Sequence, residues 1–431
     1  MVRVARTVIV RSVRLPRGVF RVFIELEDVY RSIVEQLTMY AVANNIRSFT
    51  RLRALKYHEM RNLHPQLPSH YVYTACQDAS ARAKSFMRLR KLGLAGKNYP
   101  EVKSVSIWLD DHLWRPNGYT SIEVATHEGW VRVGIEPHRQ YWRYINGGWR
   151  LASEARVRLD RRNRWLIIYF TFTKEVEEYK PKDFIPVDVN ENNVTVLIDG
   201  AAYLLETNIE KLTLGYYYRR RSVQEKYDKV YGVESRVKRR VLRKLKERRK
   251  KDDIRWKIAH LIVKAAGERR YGIVLERLGR KPAGSMISRI KDKQLRHRIY
   301  QAAFRGIQRV IEEKAREYGV PVVYVNPSNT SKMCPVHKAP ITYNDSRIGE
   351  CSSGGELWHR DVTATWNLLI RARQGDGSSA PSPGGLPHID GSPVPLGSTA
   401  THDPITLPKG LWARRNSLPP NETVGRNGGF N

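Results

Sequence analysis

The chain opens on strict alternation. In VRVARTVIVRSVRL, residues 2–15, apolar and basic side chains take turns, a period of two that predicts a half-buried strand with a cationic outer face. Arg17-Gly18 reads as a turn and Val19–Leu26 as the partner strand. From about Glu27 to Leu63 the period becomes helical, with Val29, Ile33, Leu37, Tyr40, Ala41 and Ile46 on one face. Pro65, Pro68 and Ser69 interrupt it, and Tyr71–Leu92 resumes it through Ala75, Ala79, Ala83, Phe86 and Leu89. Lys84, Arg88, Arg90 and Lys91 give that helix a basic edge, which reads first as a solvated face. Strand-like pieces return at Val102–Leu109, Thr120–Thr126, Trp130–Gly134, Ala155–Leu159 and Trp165–Thr171. Turn signals separate them at Pro116-Asn117-Gly118, Asn146-Gly147-Gly148 and Arg161-Arg162-Asn163. The simplest assembly is a small β-barrel or sandwich interrupted by a helical hairpin. Trp142, Trp149 and Trp165 lie near its arginines, a combination that suits base stacking and equally an ordinary barrel core with a charged rind.

The stretch Pro186–Gly200, PVDVNENNVTVLIDG, is a second kind of pattern: two short β-branched runs joined by the polar break Asn190-Glu191-Asn192-Asn193. It predicts a hairpin of buried strands with one acid, Asp188, inside the first. Burying an unpaired carboxylate is expensive, so Asp188 needs either water at a strand edge or a cationic partner. Tyr216–Lys251 follows, with YYYRRR and then ESRVKRRVLRKLKERRKK. It predicts helices in which Val237, Val241, Leu242 and Leu245 make an apolar stripe beneath the cations, continued by Ile254, Ile258, Ile262 and Val263. Tyr271–Leu278 reads as a buried strand ending at Glu276, about Ser288–Tyr318 as helical, and Val320–Val325 as another strand. A loop then delivers Cys334 and His337; Cys351 and Asp361 follow, the latter opening a helix over Val362–Arg373. Beyond Arg373 the chain turns to Gly, Pro, Ser and Thr, and residues 374–431 are expected to be largely disordered.

Composition narrows the partners. In 431 residues, enough for two or three domains, the net charge is +33, and the pI is about 10.2. Such an excess attracts polyanions, nucleic acid foremost. No apolar run approaches a membrane span, and the arginine-studded start is unlike a signal peptide. Three cysteines, Cys76, Cys334 and Cys351, make no disulfide framework, so a reducing cytoplasm is expected. The sparsity of acids in Arg236–Lys251 departs from the interleaved signs of an ordinary exposed helix. Arg219, Arg220, Arg221, Arg236, Lys238, Arg239, Arg240, Arg243 and Lys244 are therefore candidates for phosphate contact, with strongly salt-dependent binding.

Two groups of residues carry candidate chemistry. Asp188, Glu276 and Asp361 come from separate core elements and can converge on one point. Clustered carboxylates raise one another's pKa unless cations neutralise them, and two Mg²⁺ or Mn²⁺ ions do this while promoting phosphodiester hydrolysis. Cys334-x-x-His337 with Cys351 begins a zinc knuckle whose next ligand position holds Gly354. His359 or Glu356 completes the site, or water does, or the site has decayed.

The runs IPVDVNENNVTVLIDG, GIVLERL, VYVNPSNTSKMCPVH and ECSSGGELWHRDVTATWNLL resemble, in order, the motifs of the TnpB family, OrfB-type proteins of insertion sequences related to the type V CRISPR nucleases. The resemblance spans about Pro186–Arg373. It implies an α/β multidomain protein with an RNase H-like (RuvC) nuclease domain at 182–373, including a zinc-knuckle insert at 330–357. It implies an N-terminal β-barrel (wedge) at 1–27 and 97–181 with a helical recognition insert at 28–96. Asp188, Glu276 and Asp361 would be the metal-binding acids, and Arg347 matches an arginine common in the family that assists the active site. The implied activity is cleavage of double-stranded DNA, guided by RNA from the element's own end, beside a short protein-read motif. A DNA transposase and a non-catalytic nucleic-acid-binding regulator are the rival readings. Two departures stand out: Gly is usual where Asn190 stands, and the family's four-cysteine ribbon is here Cys334, His337, Cys351 and Gly354.

Overall fold

The first strand ends at Ser12, and Pro16 stands at the N-cap of the helix that follows. The computed structural model describes residues 1–278, 287, 290–302, 304–344, 346–375 and 412–415. They form two compact units, Arg3–Glu175 and a second that begins at Val176. In the first, β1 (Val2–Ser12) follows the alternation, with Val4, Val8 and Val10 buried. The expected partner strand at Val19–Leu26 is instead the start of α1 (Arg17–Ala43). Val22, Phe23, Leu26, Tyr30, Ile33, Val34, Leu37 and Ala41 recur at helical spacing and are all buried, so one continuous stripe outweighs the local β-branched content. The helical layer thus starts before the 27/28 boundary and includes α2 (Phe49–Leu63) and α3 (Ser69–Lys91). Ser48 caps α2 by accepting the Arg51 amide at 3.4 Å.

The strands are β2 (Ile107–Leu109), β3 (Trp114–Asn117), β4 (Ser121–Thr126), β5 (Gly129–Glu136), β6 (Arg150–Asp160) and β7 (Trp165–Val176), with α4 (Arg139–Ile145) between β5 and β6. With β1 they make a barrel-like antiparallel sheet in the order β2-β6-β7-β1-β5-β4-β3. Val102–Leu109 is shorter as a strand than expected, and Pro116 and Asn117 belong to β3 rather than to a turn. Trp142 and Trp149 join the core: Tyr144 stacks on Phe172 at 5.6 Å and meets Trp149 edge-on at 4.9 Å. Trp165 carries Arg11 over its ring at 4.7 Å.

The second unit is built on β8 (Phe184–Val189), β9 (Asn193–Ile198), β10 (Ala201–Glu206), β11 (Gly272–Glu276) and β12 (Val322–Val325). Between β10 and β11 lie α5 (Ile209–Tyr231), α6 (Arg236–Lys244) and α7 (Glu247–Arg269). A separate small sheet holds β13 (Ile341–Tyr343), β14 (Ile348–Cys351) and β15 (Leu357–His359). The main sheet runs β12-β11-β8-β9-β10 and ends on β16 (Trp412–Arg415), which pairs with β10. The rest of the expected disordered tail, 376–411 and 416–431, lies outside the described residues, as do 288, 289 and 303 of the expected helical stretch.

β8 and β9 form the expected hairpin, antiparallel with Val187 opposite Val196. β10 was not foreseen, because AAYLLE lacks clean alternation, although the turn signal Asp199-Gly200 stands directly before it. β8 is parallel to β11, with Val187 opposite Leu275. Both faces of β8 are buried. Ile185, Val187 and Val189 pack against α7 and the helix Phe304–Tyr318; Phe184 packs with Val274 under Val362, Leu368 and Leu369 of the helix Arg360–Gln374. By the period of two, Asp188 and Glu276 share the face of Phe184 and Val274, the face that the last helix covers. No helix among the described residues is long and apolar enough to cross a membrane.

Gly319, between Phe304–Tyr318 and β12, has φ +69°, and a Cβ there would overlap the carbonyl oxygen of Glu177. Gly319→Ala should lower stability by about 1–3 kcal/mol in urea unfolding, while Gly267→Ala, whose Cβ meets only Val320 at an ordinary 3.9 Å, should not destabilise. Equal midpoints for the two variants would contradict the close approach.

Candidate active site

Three acids meet where three elements end. β8 carries Asp188, its neighbour β11 ends on Glu276, and Asp361 stands in the first turn of Arg360–Gln374, where the helix dipole favours a negative charge. Asp188 and Asp361 are buried, at 7% and 3% exposure. All three line one cleft of about 390 Å³ together with Arg347, Thr330 and Glu191, room for several waters or ions at ~30 Å³ per water. Burial pushes the Asp188 carboxyl well above its usual range, and the charges of Glu276 and Asp361 push it further; the Asn190 amide and Arg347 pull it back. Burial raises Glu276 to about 7. Arg347, half exposed on the β13–β14 turn, donates to both oxygens of Asp361 at 2.9 and 2.7 Å.

The polar break between β8 and β9, which reads in sequence as a connector, touches two of the acids. Asn190 Nδ2 donates to Asp188 at 2.7 Å and to Asn193 Oδ1 at 3.2 Å; Asn193 Nδ2 donates to Asp361 at 3.3 Å. Two amides thus bridge carboxylates 173 positions apart. The one signal in the sequence was the density of asparagines in NENN, a composition that a turn already explains. Glu191 in the same turn is held by Arg298 at 2.9 and 3.0 Å, and Arg298 also pairs with Glu210.

The donor set fits hard divalent cations. It is all oxygen, it is largely buried, and Arg347 brings a cation to it through hydrogen bonds to Asp361. Because Asp188 and Glu276 titrate higher folded than unfolded, the metal-free fold binds extra protons between the ordinary carboxylate range and about pH 7, and its stability falls as pH rises through that window. Mg²⁺ should therefore raise the melting temperature more at about pH 8 than at about pH 6, where protons compete for the same oxygens. Thermal denaturation at both pH values tests this; an equal shift at each, or an undiminished shift in Asp188→Asn, would contradict it.

The cysteine cluster is complete without a fourth cysteine. Cys334, His337, Cys351 and Glu356 bring their ligand atoms within 4.8 Å of one another. His337 Nδ1 lies 3.8 Å from Cys334 Sγ, 3.7 Å from Cys351 Sγ and 3.0 Å from Glu356 Oε1. Tetrahedral zinc with ~2.3 Å sulfur and ~2.0 Å nitrogen bonds has sulfur–nitrogen edges of about 3.5 Å, so the donors fit. Glu356 Oε2 is buried with no hydrogen-bond partner. Of the sequence alternatives, the gathered donors include Glu356; His359 is half-buried two residues before Asp361, its Nδ1 has no hydrogen-bond partner, and burial depresses its pKa. A Cβ on Gly354 would overlap the His337 ring and both Glu356 oxygens, so the glycine makes space for the ligands. Competition with a chromogenic chelator should show Glu356→Gln and Gly354→Ala weakening zinc by about tenfold or more; unaltered affinity in both would remove Glu356 from the site.

Of the nine candidate phosphate-binding cations, eight are exposed, while Lys238 is buried against Asp228 and the Val233 carbonyl and leaves the set. Arg220 pairs with Glu247 and Arg221 with Glu225, each at 2.9 Å. Arg219 lies 5.9 Å from the Tyr216 ring. Arg236, Arg239, Arg240, Arg243 and Lys244 project from α6, whose Val237 is 41% exposed, so the apolar stripe expected there is only partly covered.

Comparison with known proteins gives the following. The family model for the Cas12f1-like TNB domain matches residues 304–368, and that for the Uncharacterized protein MJ0013 family matches 26–124. Uncharacterized protein MJ0857 of Methanocaldococcus jannaschii is 26% identical over 246 residues, 52% of this chain and 89% of that protein. TnpB-like protein MJ0751 of the same organism is 29% identical over 216 residues, 48% of this chain and 75% of that one. Among solved structures, Cas12f1 in its complex with sgRNA and target DNA aligns with a TM-score of 0.54 at 14% identity, covering 85% of this chain and 99% of that chain. That likeness is one of fold.

Proposed function

The chain belongs to the TnpB family, and from that premise we propose that its three-acid cleft is the hydrolytic centre of an RNA-guided DNA endonuclease. The observation that carries the reading is the convergence of Asp188, Glu276 and Asp361, from two neighbouring strands and a helix start, on one face of the sheet. The strand order β10-β9-β8-β11-β12, three antiparallel strands followed by two parallel ones, supports an RNase H-like core. Mg²⁺ or Mn²⁺ held by these acids would supply an activated water and a counter-charge for the leaving oxygen. The protein's own residues do the rest. Asn190 and Asn193 fix the rotamers of Asp188 and Asp361. Arg347, half exposed at the mouth, neutralises part of the acid charge and is placed to meet a phosphate. Guide RNA and double-stranded target DNA are the proposed partners; the solved relative in complex with sgRNA and target DNA supports them, and the exposed cations of α5 and α6 suit their phosphates.

The test is purification from cells carrying the native locus. A discrete RNA with a variable end should copurify, and the complex should cut matching DNA with Mg²⁺, while Asp188→Ala and Glu276→Ala should lose at least about a hundredfold in rate. Absence of any discrete RNA overturns guidance, transfer of element ends to new DNA favours a transposase, and full activity in Asp188→Ala removes the site.

A further inference from the structure

Away from the acid cleft and the cysteine cluster, histidine and carboxylate atoms converge again in the N-terminal unit. One ligand atom each from His70, Asp110 and His112 lies within 4.8 Å of the other two. His70 is in the first turn of α3, and Asp110–His112 is the turn that leaves β2 for β3. Asp110 organises the place: Oδ1 accepts the His112 amide at 3.1 Å, and Oδ2 meets His70 Nδ1 at 2.7 Å. Asp111 Oδ1 meets His112 Nδ1 at 3.0 Å, and the two imidazoles stack face to face with centroids 3.8 Å apart and planes 17° from parallel. Glu25, His127 and Glu128 also approach one another, but offer a single imidazole between two exposed acids.

We propose that His70, Asp110 and His112 bind a divalent transition ion of the Zn²⁺ or Ni²⁺ kind, which pins the start of α3 to the β2–β3 turn. The chemistry favours such an ion over Mg²⁺ or Ca²⁺, because two imidazoles and one carboxylate are borderline donors. Adjacent ligands on ~2.0–2.2 Å bonds stand about 3 Å or slightly more apart, so the 2.7 Å pair of His70 and Asp110 needs to open by only a few tenths of an ångström. Asp111 holds the Nδ1 side of His112, leaving Nε2 as the nitrogen for the ion, in the way outer carboxylates orient metal-binding histidines. Two aspartates balance a dication, which offsets its unfavourable position near a helix N-terminus. Partial exposure of the three side chains, 34%, 17% and 62%, leaves room for water to complete the coordination. The site does not depend on the nuclease reading.

Ion counting on the full chain tests it, with excess Mg²⁺ present to occupy the acid cleft. Calorimetric titration with Ni²⁺ should reveal a site that His112→Gln weakens by at least about tenfold. His112 is mostly exposed, so this variant keeps its fold, which circular dichroism verifies. Co²⁺ separates the site from the cysteine cluster, because thiolate-bound Co²⁺ has an intense near-ultraviolet band and nitrogen- and oxygen-bound Co²⁺ does not. His70→Gln and His112→Gln should each lose one bound ion and keep that band. An unaltered ion count and Ni²⁺ affinity in His112→Gln overturns the site. So does loss of the thiolate band in that variant, since the lost ion would then be the cysteine-bound one.

Discussion

Like charges gathered in a poorly solvated place are what the second unit is arranged to tolerate. Three carboxylates gather between the sheet and the helix that covers it, beside a cluster of apolar side chains, where each ionised group costs free energy that water no longer offsets. The fold answers with partial measures: one guanidinium on Asp361, two asparagine amides, and a helix start. These neutralise less than the acids carry, and the remainder is expressed as carboxyl pKa values raised by burial. A site in that condition is preorganised for cations, and its geometry is maintained by the apolar packing on the opposite face of β8.

How far the sequence revealed this depends on which signal each element rested on. The β8–β9 hairpin was legible because its two β-branched runs match the period of a doubly buried strand, and the three acids were legible because each punctuates an element. The misreading at Val19–Leu26 has a definite cause: VFRVFIEL fits a strand over eight residues and a helix over twenty-seven, and only the longer window, with Tyr30, Ile33 and Leu37 included, decides between them. Asn190 and Asn193 were hidden for a different reason, since turn propensity already accounts for asparagines there. Glu356 was one of several open ligands, and nothing in a linear spacing could show that Gly354 is required to leave it space. The burial of Lys238 was likewise invisible, because a cation among cations gives no hint that Asp228 lies against it.

The cysteine cluster and the acid cleft are mechanically joined. β14 holds Cys351 at one end and follows Arg347 at the other; β15 pairs with it, Ile348 opposite His359, and the Arg360 amide donates to the Arg347 carbonyl at 2.7 Å. The same hairpin therefore sets both the sulfur ligands and the approach of Arg347 to Asp361. Asn367 adds a further tie by donating to the carbonyls of Thr330 and Met333, each at 2.8 Å, just ahead of Cys334. An ion in the cluster would stiffen the hairpin that carries the guanidinium bonded to Asp361.

Gly354 bears on how such a site can change over generations. A ribbon with a fourth cysteine at this position and the ribbon seen here, with Glu356, are separated by two substitutions that are not independent. A side chain at 354 collides with the glutamate and histidine already in place, whereas losing the glutamate first leaves three ligands. Either order of replacement passes through a sequence with an obstructed or incomplete cluster. Positions 354 and 356 are thus sterically coupled, and a change at either one alone obstructs or depletes the set of donors.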